Sequence, residues 1–398
     1  MQNFSELPPL GLYIHFPWCV KKCPYCDFNS HAIQDKVPEL EYVSCLLADL
    51  DQQLPQVWGR SINSIFMGGG TPSLFSANAL DELFSGLRAR LNFRPDIEIT
   101  LEANPGTVEQ EKFSDFYDLG INRLSIGVQS FNNKHLQQLG RIHNAKEAIK
   151  AIEVAHKAGF EKLNIDLMYG LPGQSIGEAK GDLQMALAMA PSHLSHYQLT
   201  IEPNTWFQHH PPILPDDDRL ADIEESCREL LEQNEFERYE ISAFAKPEQQ
   251  CEHNTNYWEF GDYLGIGAGA HGKITHAPNQ QIQRNWNVKN PRDYLQAKNA
   301  EQRISGEQIL TEKEASFEFF LNAFRLVGGF DSELFQRRCG LPISYVEAAL
   351  QIAESKGLID WGLKRITPTE SGLQYLNDLT GLFLPDDSAN NVDSNQHD

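Results

Sequence analysis

Basic residues are scarce in this sequence. Its 398 residues include 33 Lys and Arg against 55 Asp and Glu, which gives a formal net charge of −22 and a pI of about 5.0. Nucleic acids and anionic membrane surfaces attract basic proteins, so neither is an expected partner. Long apolar runs are missing too, because none approaches the roughly 18 consecutive apolar residues of a membrane span.

Cysteines are few and odd in number, with three of the seven in one short run and four scattered along the chain. This usage is poor material for a disulfide framework. The first sixteen residues contain an early acid and no basic stretch, unlike a secretory signal peptide. We therefore expect a reduced, cytoplasmic protein.

The short cysteine run lacks a fourth cysteine. In FPWCVKKCPYCDF, residues 16–28, the three are Cys19, Cys23 and Cys26. Structural zinc takes four protein ligands, and an iron–sulfur cubane takes one cysteine per iron. The run therefore leaves one coordination position for a group that is not protein.

Six strand-like segments alternate with amphipathic helical segments. The expected strands are 11–16, 62–69, 97–103, 123–130, 163–170 and 193–202, and the expected helices are 38–54, 76–91, 107–120, 144–159 and 175–190. Asn144 and Ser175 stand where helix N-caps belong, and Gly120 and Gly159 follow helix ends. The alternation predicts a parallel sheet with right-handed crossovers. A partial (β/α)6 barrel is the simplest closure, and an open doubly wound sheet is the alternative that periodicity does not separate from it.

Polar runs follow the predicted strands at five successive ends. They are the cysteine loop, GGGTP (68–72), EANP (102–105), GVQSF (127–131), and Asp166 with GLPGQ (170–174). Any one of them has an ordinary explanation as a turn or a cap. Ligands bind at the carboxyl edge of parallel strands, so the five together predict a binding site there.

These runs carry a resemblance. CxxxCxxC with an aromatic before the third cysteine, followed by GGGTP, resembles the radical S-adenosylmethionine (SAM) superfamily. With EANP, SIGVQSF and LGRIH in order, the chain is similar, from about Leu12 to its C-terminal region, to the subfamily of oxygen-independent coproporphyrinogen dehydrogenases and related haem chaperones. The resemblance implies a TIM-like partial barrel and a [4Fe-4S] cluster bound by Cys19, Cys23 and Cys26. SAM would then be the missing ligand, chelating the unique iron through its amino and carboxylate groups.

The resemblance also assigns residues to the cofactors. Those expected near SAM are Tyr13, Tyr25, Gly69, Gly70, Thr71, Glu102, Gln129, Arg141 and Asp166. The glycines and the threonine would approach the methionyl part, and the glutamate would face the ammonium or the ribose. The arginine would pair with the carboxylate, and the aspartate would bind ribose hydroxyls. No residue is assigned a catalytic role.

Three features favour the chaperones over the dehydrogenases. Phe28 stands where the dehydrogenases carry a further cysteine, and HNTNYW (253–258) resembles a signature of the chaperones. Only 18 residues precede Cys19, so we expect no N-terminal extension of the kind that helps form the dehydrogenase substrate site. We therefore expect a chaperone that binds haem and passes it to an acceptor protein, without coproporphyrinogen dehydrogenase activity. The alternatives are a radical SAM oxidoreductase acting as oxygen-independent coproporphyrinogen III dehydrogenase and a radical SAM enzyme with an unrelated substrate.

The haem ligand is predicted from the same run. Haem iron takes a histidine, cysteine, tyrosine or methionine ligand, and His253 is the first candidate. HNTNYW has the alternative explanation of a turn whose side chains bond the backbone or pack in the core. Cys251, on the same side of an extended chain, is the second candidate. The acceptor is not identified by the sequence, and either one chain or a homodimer can form the haem site.

The chain is expected to divide into four parts. They are a barrel (1–210), a connecting segment in which HNTNYW closes over the barrel (211–310), a mostly helical, winged-helix-like domain (311–384) and a disordered acidic tail (385–398). Within the connecting segment, GDYLGIGAGAHG (261–272) lacks a P-loop ending and is expected to pack on cofactor or sheet, closing over the SAM site.

The predicted C-terminal domain raises the question of DNA binding. Residues 311–378 contain 7 basic against 10 acidic residues, a net charge of −3. A surface that reads DNA is basic. The domain is therefore expected to have a structural or haem-handling role.

Overall fold

The structure is a computed structural model that describes residues 2–106 and 110–385. Its strands are β1 (Leu10–Phe16), β2 (Trp18–Cys19), β3 (His31–Ala32), β4 (Ser61–Gly69), β5 (Asn92–Ala103), β6 (Arg123–Gln129), β7 (Lys162–Tyr169), β8 (His193–Gln198), β9 (Glu237–Glu240), β10 (Ala243–Ala245), β11 (Asp262–Ile266), β12 (His271–His276), β13 (Gln281–Asn287), β14 (Ile304–Ile309), β15 (Phe330–Asp331), β16 (Ile359–Trp361) and β17 (Arg365–Pro368). Its helices are α1 (Glu39–Gln53), α2 (Ala77–Arg88), α3 (Phe113–Asp118), α4 (Asn133–Gln138), α5 (Ala145–Ala158), α6 (Ile176–Ala188), α7 (Trp206–His209), α8 (Asp217–Glu232), α9 (Glu252–Trp258), α10 (Pro291–Gln296), α11 (Ala300–Arg303), α12 (Glu312–Ala323), α13 (Ser332–Cys339), α14 (Glu347–Ser355), α15 (Glu370–Gln374) and α16 (Leu376–Gly381).

The strand order of the large sheet decides between the two predicted architectures. The order is β14-β13-β12-β11-β1-β4-β5-β6-β7-β8-β10-β9, and every pair from β11 to β8 is parallel. From β1 to β8 the sheet grows in one direction, so right-handed crossovers put the connecting helices on one face. A doubly wound sheet requires a reversal of that direction. The partial (β/α)6 barrel is therefore confirmed, and its sheet has edges at β14 and β9.

The two faces of the barrel strands differ in chemistry. In β1, Leu12, Ile14 and Phe16 are buried in the main apolar core together with residues of the helices. Tyr13 and His15 alternate with them and point into the barrel lumen. The lumen also collects polar side chains from the other strands, among them Ser64, Glu98, Thr100, Glu102, Ser125, Asn164 and Asp166. The barrel is thus apolar outside and polar inside, which suits a ligand site.

Residues 211–310 do more than connect two units. Strands β9 to β14 all lie in this segment and extend the large sheet at both ends. The glycine-rich run 261–272 forms β11, which pairs in parallel with β1. Gly265 permits the close approach of β12 to β11, because a Cβ there would lie 1.8 Å from the carbonyl oxygen of His271. The run therefore packs on the sheet, which is one of the two positions expected for it.

The C-terminal residues form helices around a small antiparallel sheet, β15-β17-β16. Their core is rich in phenylalanine, including Phe319, Phe320 and Phe335, and it includes Phe4 and Phe260 from the barrel side. One continuous apolar cluster therefore joins this unit to the barrel.

The local signals in the sequence agree with these elements. Asn144 and Ser175 each form a capping box at the start of a helix, and Gly120 and Gly159 have positive φ of 96° and 103°. The predicted helix 107–120 is shorter, at α3, and residues 107–109 lie outside the described residues. The predicted acidic tail lies outside them from residue 386 onward. Among the described helices, none has the length and apolar character needed to cross a membrane.

Candidate cofactor site

The three clustered cysteines lie in one loop between β1 and α1. Its base is closed by the short parallel pair β2 and β3, with backbone bonds from His31 N to Pro17 O (2.7 Å) and from Ile33 N to Cys19 O (2.9 Å). A further bond from Cys26 N to Cys23 O (3.2 Å) turns the chain between the second and third thiols. The loop therefore holds three sulfurs together at the carboxyl end of β1.

The thiols suit a cluster better than a single metal ion. All seven cysteines are free, and in the described residues no group of three or more His, Cys, Asp or Glu side chains is placed to hold one ion. In a cubane each thiolate binds its own iron, so the sulfurs need not converge on one point. The donor set therefore fits a [4Fe-4S] cluster with one iron left without a protein ligand.

Hydrogen-bond donors approach two of the sulfurs. Thr71 Oγ1 donates to Cys19 Sγ at 3.5 Å, and Arg141 Nη1 donates to Cys23 Sγ at 3.6 Å. Arg141 also donates through Nη2 to Asn104 Oδ1 and to Gly127 O, both at 2.6 Å. Its guanidinium is thus held beneath the cysteine loop, where it can offset thiolate charge, and only part of it remains for a ligand carboxylate.

The glycine run after β4 is packed against the same loop. The N–H groups of Gly70 and Thr71 donate to Phe16 O (2.7 Å) and Trp18 O (2.8 Å). Gly69 has φ of 105°, and a Cβ there would lie 2.3 Å from the His15 ring. These backbone donors are therefore used to position the loop, whereas the sequence suggested that they would contact SAM.

Two half-buried carboxyl groups lie on the lumen side of the sheet, Glu102 on β5 and Asp166 on β7. Glu102 Oε2 accepts from Gly69 N at 3.2 Å. Asp166 accepts from Asn164 Nδ2 (2.7 Å) and Ser125 Oγ (3.3 Å). Burial, with the Asp166 charge as a smaller cause, raises the pKa of Glu102 to about 8. Burial also raises the pKa of Asp166. A cation that enters the lumen would therefore favour the ionised form of both carboxyl groups.

Gln129 has an unusual backbone at the end of β6. Its φ is 71°, in the left-handed region that non-glycine residues seldom adopt, and the pairing with β7 is irregular there. The side chain accepts a hydrogen bond from Tyr197 OH at 2.7 Å. Such local backbone strain is typical of ligand sites, where the surrounding structure holds a residue in an unfavourable backbone conformation.

Tyr25 lies on the opposite flank of the cysteine loop. It packs near Phe207, 6.5 Å between ring centroids, against a small apolar cluster that includes Leu139, Met168 and Leu171. This packing anchors the CPYC part of the loop to the barrel. The structure therefore gives Tyr25 a supporting position.

Sequence reasoning missed His15. Tyr13 OH is 3.0 Å from its Nδ1, and its Nε2 is 2.8 Å from the carbonyl oxygen of Asn29. A carbonyl only accepts, so Nε2 carries the proton and Tyr13 donates to Nδ1. Burial lowers the pKa of His15 to about 4, so the ring is neutral. The signal was present, since His15 is two residues from Tyr13 and shares its face of β1.

A cavity of about 420 Å³ opens beside the cysteine loop. Tyr13, Gly69 and Glu102, three of the residues predicted to contact SAM, line it. Gln129 and Asp166 lie on the neighbouring strands β6 and β7, toward the carboxyl ends of these strands. The predicted site residues from the barrel therefore come together at one end.

His253 is the exception. It lies deep in the lumen, with Nδ1 3.0 Å from Ser64 Oγ and its ring packed on Phe66 and Tyr257 at 5.1 and 5.0 Å between centroids. Only 2% of it is exposed, and its Nε2 is buried without a hydrogen-bond partner among the described residues. Burial lowers its pKa to about 3. A porphyrin cannot approach so enclosed a ring, and the structure does not support His253 as an axial ligand.

The run around His253 is helical, so the extended conformation expected for it is wrong. Glu98 Oε1 accepts from the N–H groups of Glu252 (2.9 Å) and His253 (3.4 Å) and starts helix α9 there. Cys251, just before the helix, is buried and donates to the same oxygen at 3.5 Å. Helix α9 packs against β1 and β4, and its Tyr257 lines the cavity beside the cysteine loop. Closure of this run over the barrel stays a prediction.

Comparison with known proteins agrees with this geometry. A family model described as the radical SAM superfamily matches residues 13–186. The chain is 49% identical to the heme chaperone HemW of Escherichia coli (strain K12), covering 95% of this chain and 99% of that one, and 47% identical to HemW of Haemophilus influenzae, covering 96% and 100%. Its fold is similar to that of E. coli coproporphyrinogen III oxidase, HemN, a radical SAM enzyme, with a TM-score of 0.80, 24% identity, and 95% and 90% of the two chains covered.

Proposed function

The chain belongs to the HemW family of haem chaperones within the radical SAM superfamily, and we propose that it binds haem and transfers it to an acceptor protein. The observation that carries the proposal is the 49% identity to a heme chaperone over nearly the full length of both chains. The likeness to HemN, at 24% identity, concerns the fold alone. Seven free thiols and an iron–sulfur cluster both require a reducing compartment, so a cytoplasmic location is part of the proposal.

The cysteine loop would hold the cluster. Cys19, Cys23 and Cys26 supply one thiolate each, and the hydrogen bonds from Thr71 and Arg141 stabilise thiolate charge. When bound, SAM supplies the remaining ligands of the fourth iron and, on reduction, a route to radical chemistry. The cluster and SAM follow from membership of the superfamily, and haem is the further element of the proposal.

The lumen residues would hold SAM. Tyr13 and Glu102 line the cavity next to the loop, and the Glu102 carboxyl is suited to a sulfonium or ammonium cation. Asp166 is fixed by Asn164 and Ser125 and suits ribose hydroxyls. The chain thus offers a polar, preorganised pocket at the cluster.

We expect the protein to bind haem and hand it on without making protoporphyrinogen. Anaerobic, cluster-loaded protein should show a haem Soret band that decays when an apo-haemoprotein acceptor is added. Incubation with coproporphyrinogen III, SAM and reductant should yield no protoporphyrinogen. The enzyme alternative rests on the same cluster and SAM residues. Turnover on the order of 1 per second, or even a hundredth of that rate, would favour it.

We expect SAM binding to depend on pH through Glu102. Because its pKa is about 8 without a ligand, the carboxyl is mostly protonated at neutral pH. SAM is a cation and favours the carboxylate, so binding releases a proton and affinity falls by up to about tenfold per pH unit below the pKa. SAM titrations of cluster-loaded protein between about pH 6 and pH 9 would measure the slope. Glu102→Gln should bind more weakly with a flat profile, and an equal slope in this variant would assign the proton to another group.

A further inference from the structure

The cavity at the cluster has an outer part that SAM residues do not account for. Beyond Tyr13, Gly69 and Glu102, its lining includes Phe28 of the cysteine loop and the residues His271 and Lys289. Phe28 is 60% exposed, an apolar ring at the rim. An aromatic ring, an imidazole and an ammonium group therefore surround the opening.

Asn29 ties this rim to the cysteine loop. Its Nδ2 donates to Ala268 O and to Lys289 O, both at 2.9 Å, and its own carbonyl accepts from His15. Ala268 begins the turn that leads into His271 at the start of β12. The cysteine loop and the two rim residues are therefore parts of one hydrogen-bonded unit.

His271 has the properties of an axial ligand. Its ring is exposed and stacks on Trp286, with 6.1 Å between centroids and 23° between planes, and among the described residues no hydrogen bond ties up either ring nitrogen. Burial, with the charges of Arg284 and Lys289, lowers its pKa below the ordinary value. The imidazole is therefore neutral at pH 7 and has a lone pair to donate to iron.

A second cavity suits haem less well. It has a volume of about 1530 Å³ and lies between β8, β9, α8 and the C-terminal unit, with His196 among its lining residues. Two arginines face it, but each is ion-paired, and six acidic side chains surround them, Glu224, Glu225, Glu232, Glu235, Glu237 and Glu370. Such a lining repels the two propionates of haem, whereas Lys289 at the cluster cavity attracts them.

We infer that haem binds in the outer part of the cluster cavity, with His271 as an axial ligand of its iron and Lys289 paired with a propionate. This inference rests on the proposed function and names the site for it. Phe28 would then pack on the porphyrin, which accounts for an exposed aromatic ring at the rim. Haem and SAM would be neighbours in one cavity, so each would alter the affinity of the other.

Haem titration of anaerobic, cluster-loaded full-length protein tests the inference. His271→Ala should weaken haem binding at least about tenfold and shift the Soret band, since loss of even a residue that only supports a metal ligand costs about 10- to 100-fold. Added imidazole should restore the wild-type spectrum by filling the space left at the iron, and His271→Met should give a different ligand-field spectrum. His276→Ala is the matched control, because His276 lies on the same strand and bonds Gln283 at 3.0 Å.

The outcomes separate the site from the function. Haem binding by wild type, with loss in His271→Ala and none in His276→Ala, supports the inference. An unchanged spectrum and affinity in His271→Ala would overturn it and leave the proposed function standing, as would loss of the Soret band in His253→Ala alone. Failure of the wild-type protein to bind haem would overturn the proposed function itself.

Discussion

Alanine at Cys19, Cys23 or Cys26 is expected to leave the protein without its cluster. Each thiolate is the only protein ligand to one iron, so two remaining cysteines cannot retain a cubane. Iron and acid-labile sulfide should fall from about four per chain to near zero, together with the charge-transfer absorption of the cluster. The fold should persist, because the loop base is held by backbone bonds of β2 and β3.

Cys45→Ala provides the control for this experiment. Cys45 is a half-buried thiol in α1, outside the cysteine loop, and donates to Leu295 O at 3.7 Å. This variant should reconstitute with a full complement of iron. If a variant with alanine at Cys19, Cys23 and Cys26 together retained four irons, the assignment of the cluster to this loop would be wrong.

Gly70→Ala is expected to damage both stability and cluster loading. A Cβ at this position would lie 2.5 Å from Trp18 O and 2.6 Å from Phe16 O, and neither backbone oxygen can move without opening the cysteine loop. We expect destabilisation at the upper end of the roughly 1–3 kcal/mol that overpacking costs. Denaturant unfolding of the apoprotein measures the first effect, and iron content after reconstitution measures the second.

A Gly→Ala substitution elsewhere should change the free energy of unfolding in the opposite direction. Gly181 lies inside α6, and a Cβ there would meet no atom within 4 Å. Alanine is favoured over glycine in a helix by about 1 kcal/mol, so Gly181→Ala should stabilise the protein. Equal unfolding free energies for the two variants would show that the close approach at Gly70 is not rigid.

The parts of the fold that the sequence predicted well are governed by local chemistry. Buried strands and capped helices are specified by neighbouring residues, as the capping boxes of Asn144 and Ser175 show. The cysteine spacing likewise names its chemistry without knowledge of the fold. The order of the strands could not be predicted from the sequence, because hydrophobic periodicity does not indicate which strands are neighbours.

Long-range contacts explain what the sequence did not predict. HNTNYW reads as an irregular run, yet Glu98, more than 150 residues earlier, caps it into a helix and buries His253. In the sequence His15 is an ordinary strand residue, and its role depends on a hydrogen bond to Asn29 that the sequence does not indicate. The donors of Gly70 and Thr71 appeared free for a ligand because their partners lie in another segment.

The position of β1 between β4 and β11 also bears on how the protein is made. Its contact with β4 and the Gly70 bond can form once about 70 residues have left the ribosome, whereas β11 and the Asn29 bonds to Ala268 and Lys289 need about 200 residues more. At 5–20 residues per second, translation of that interval takes roughly 10 to 40 seconds. During this delay the cysteine loop is supported on one flank and exposed on the other. Iron–sulfur assembly machinery therefore meets a complete site only late in synthesis, and the thiols of the nascent chain need a reducing environment throughout.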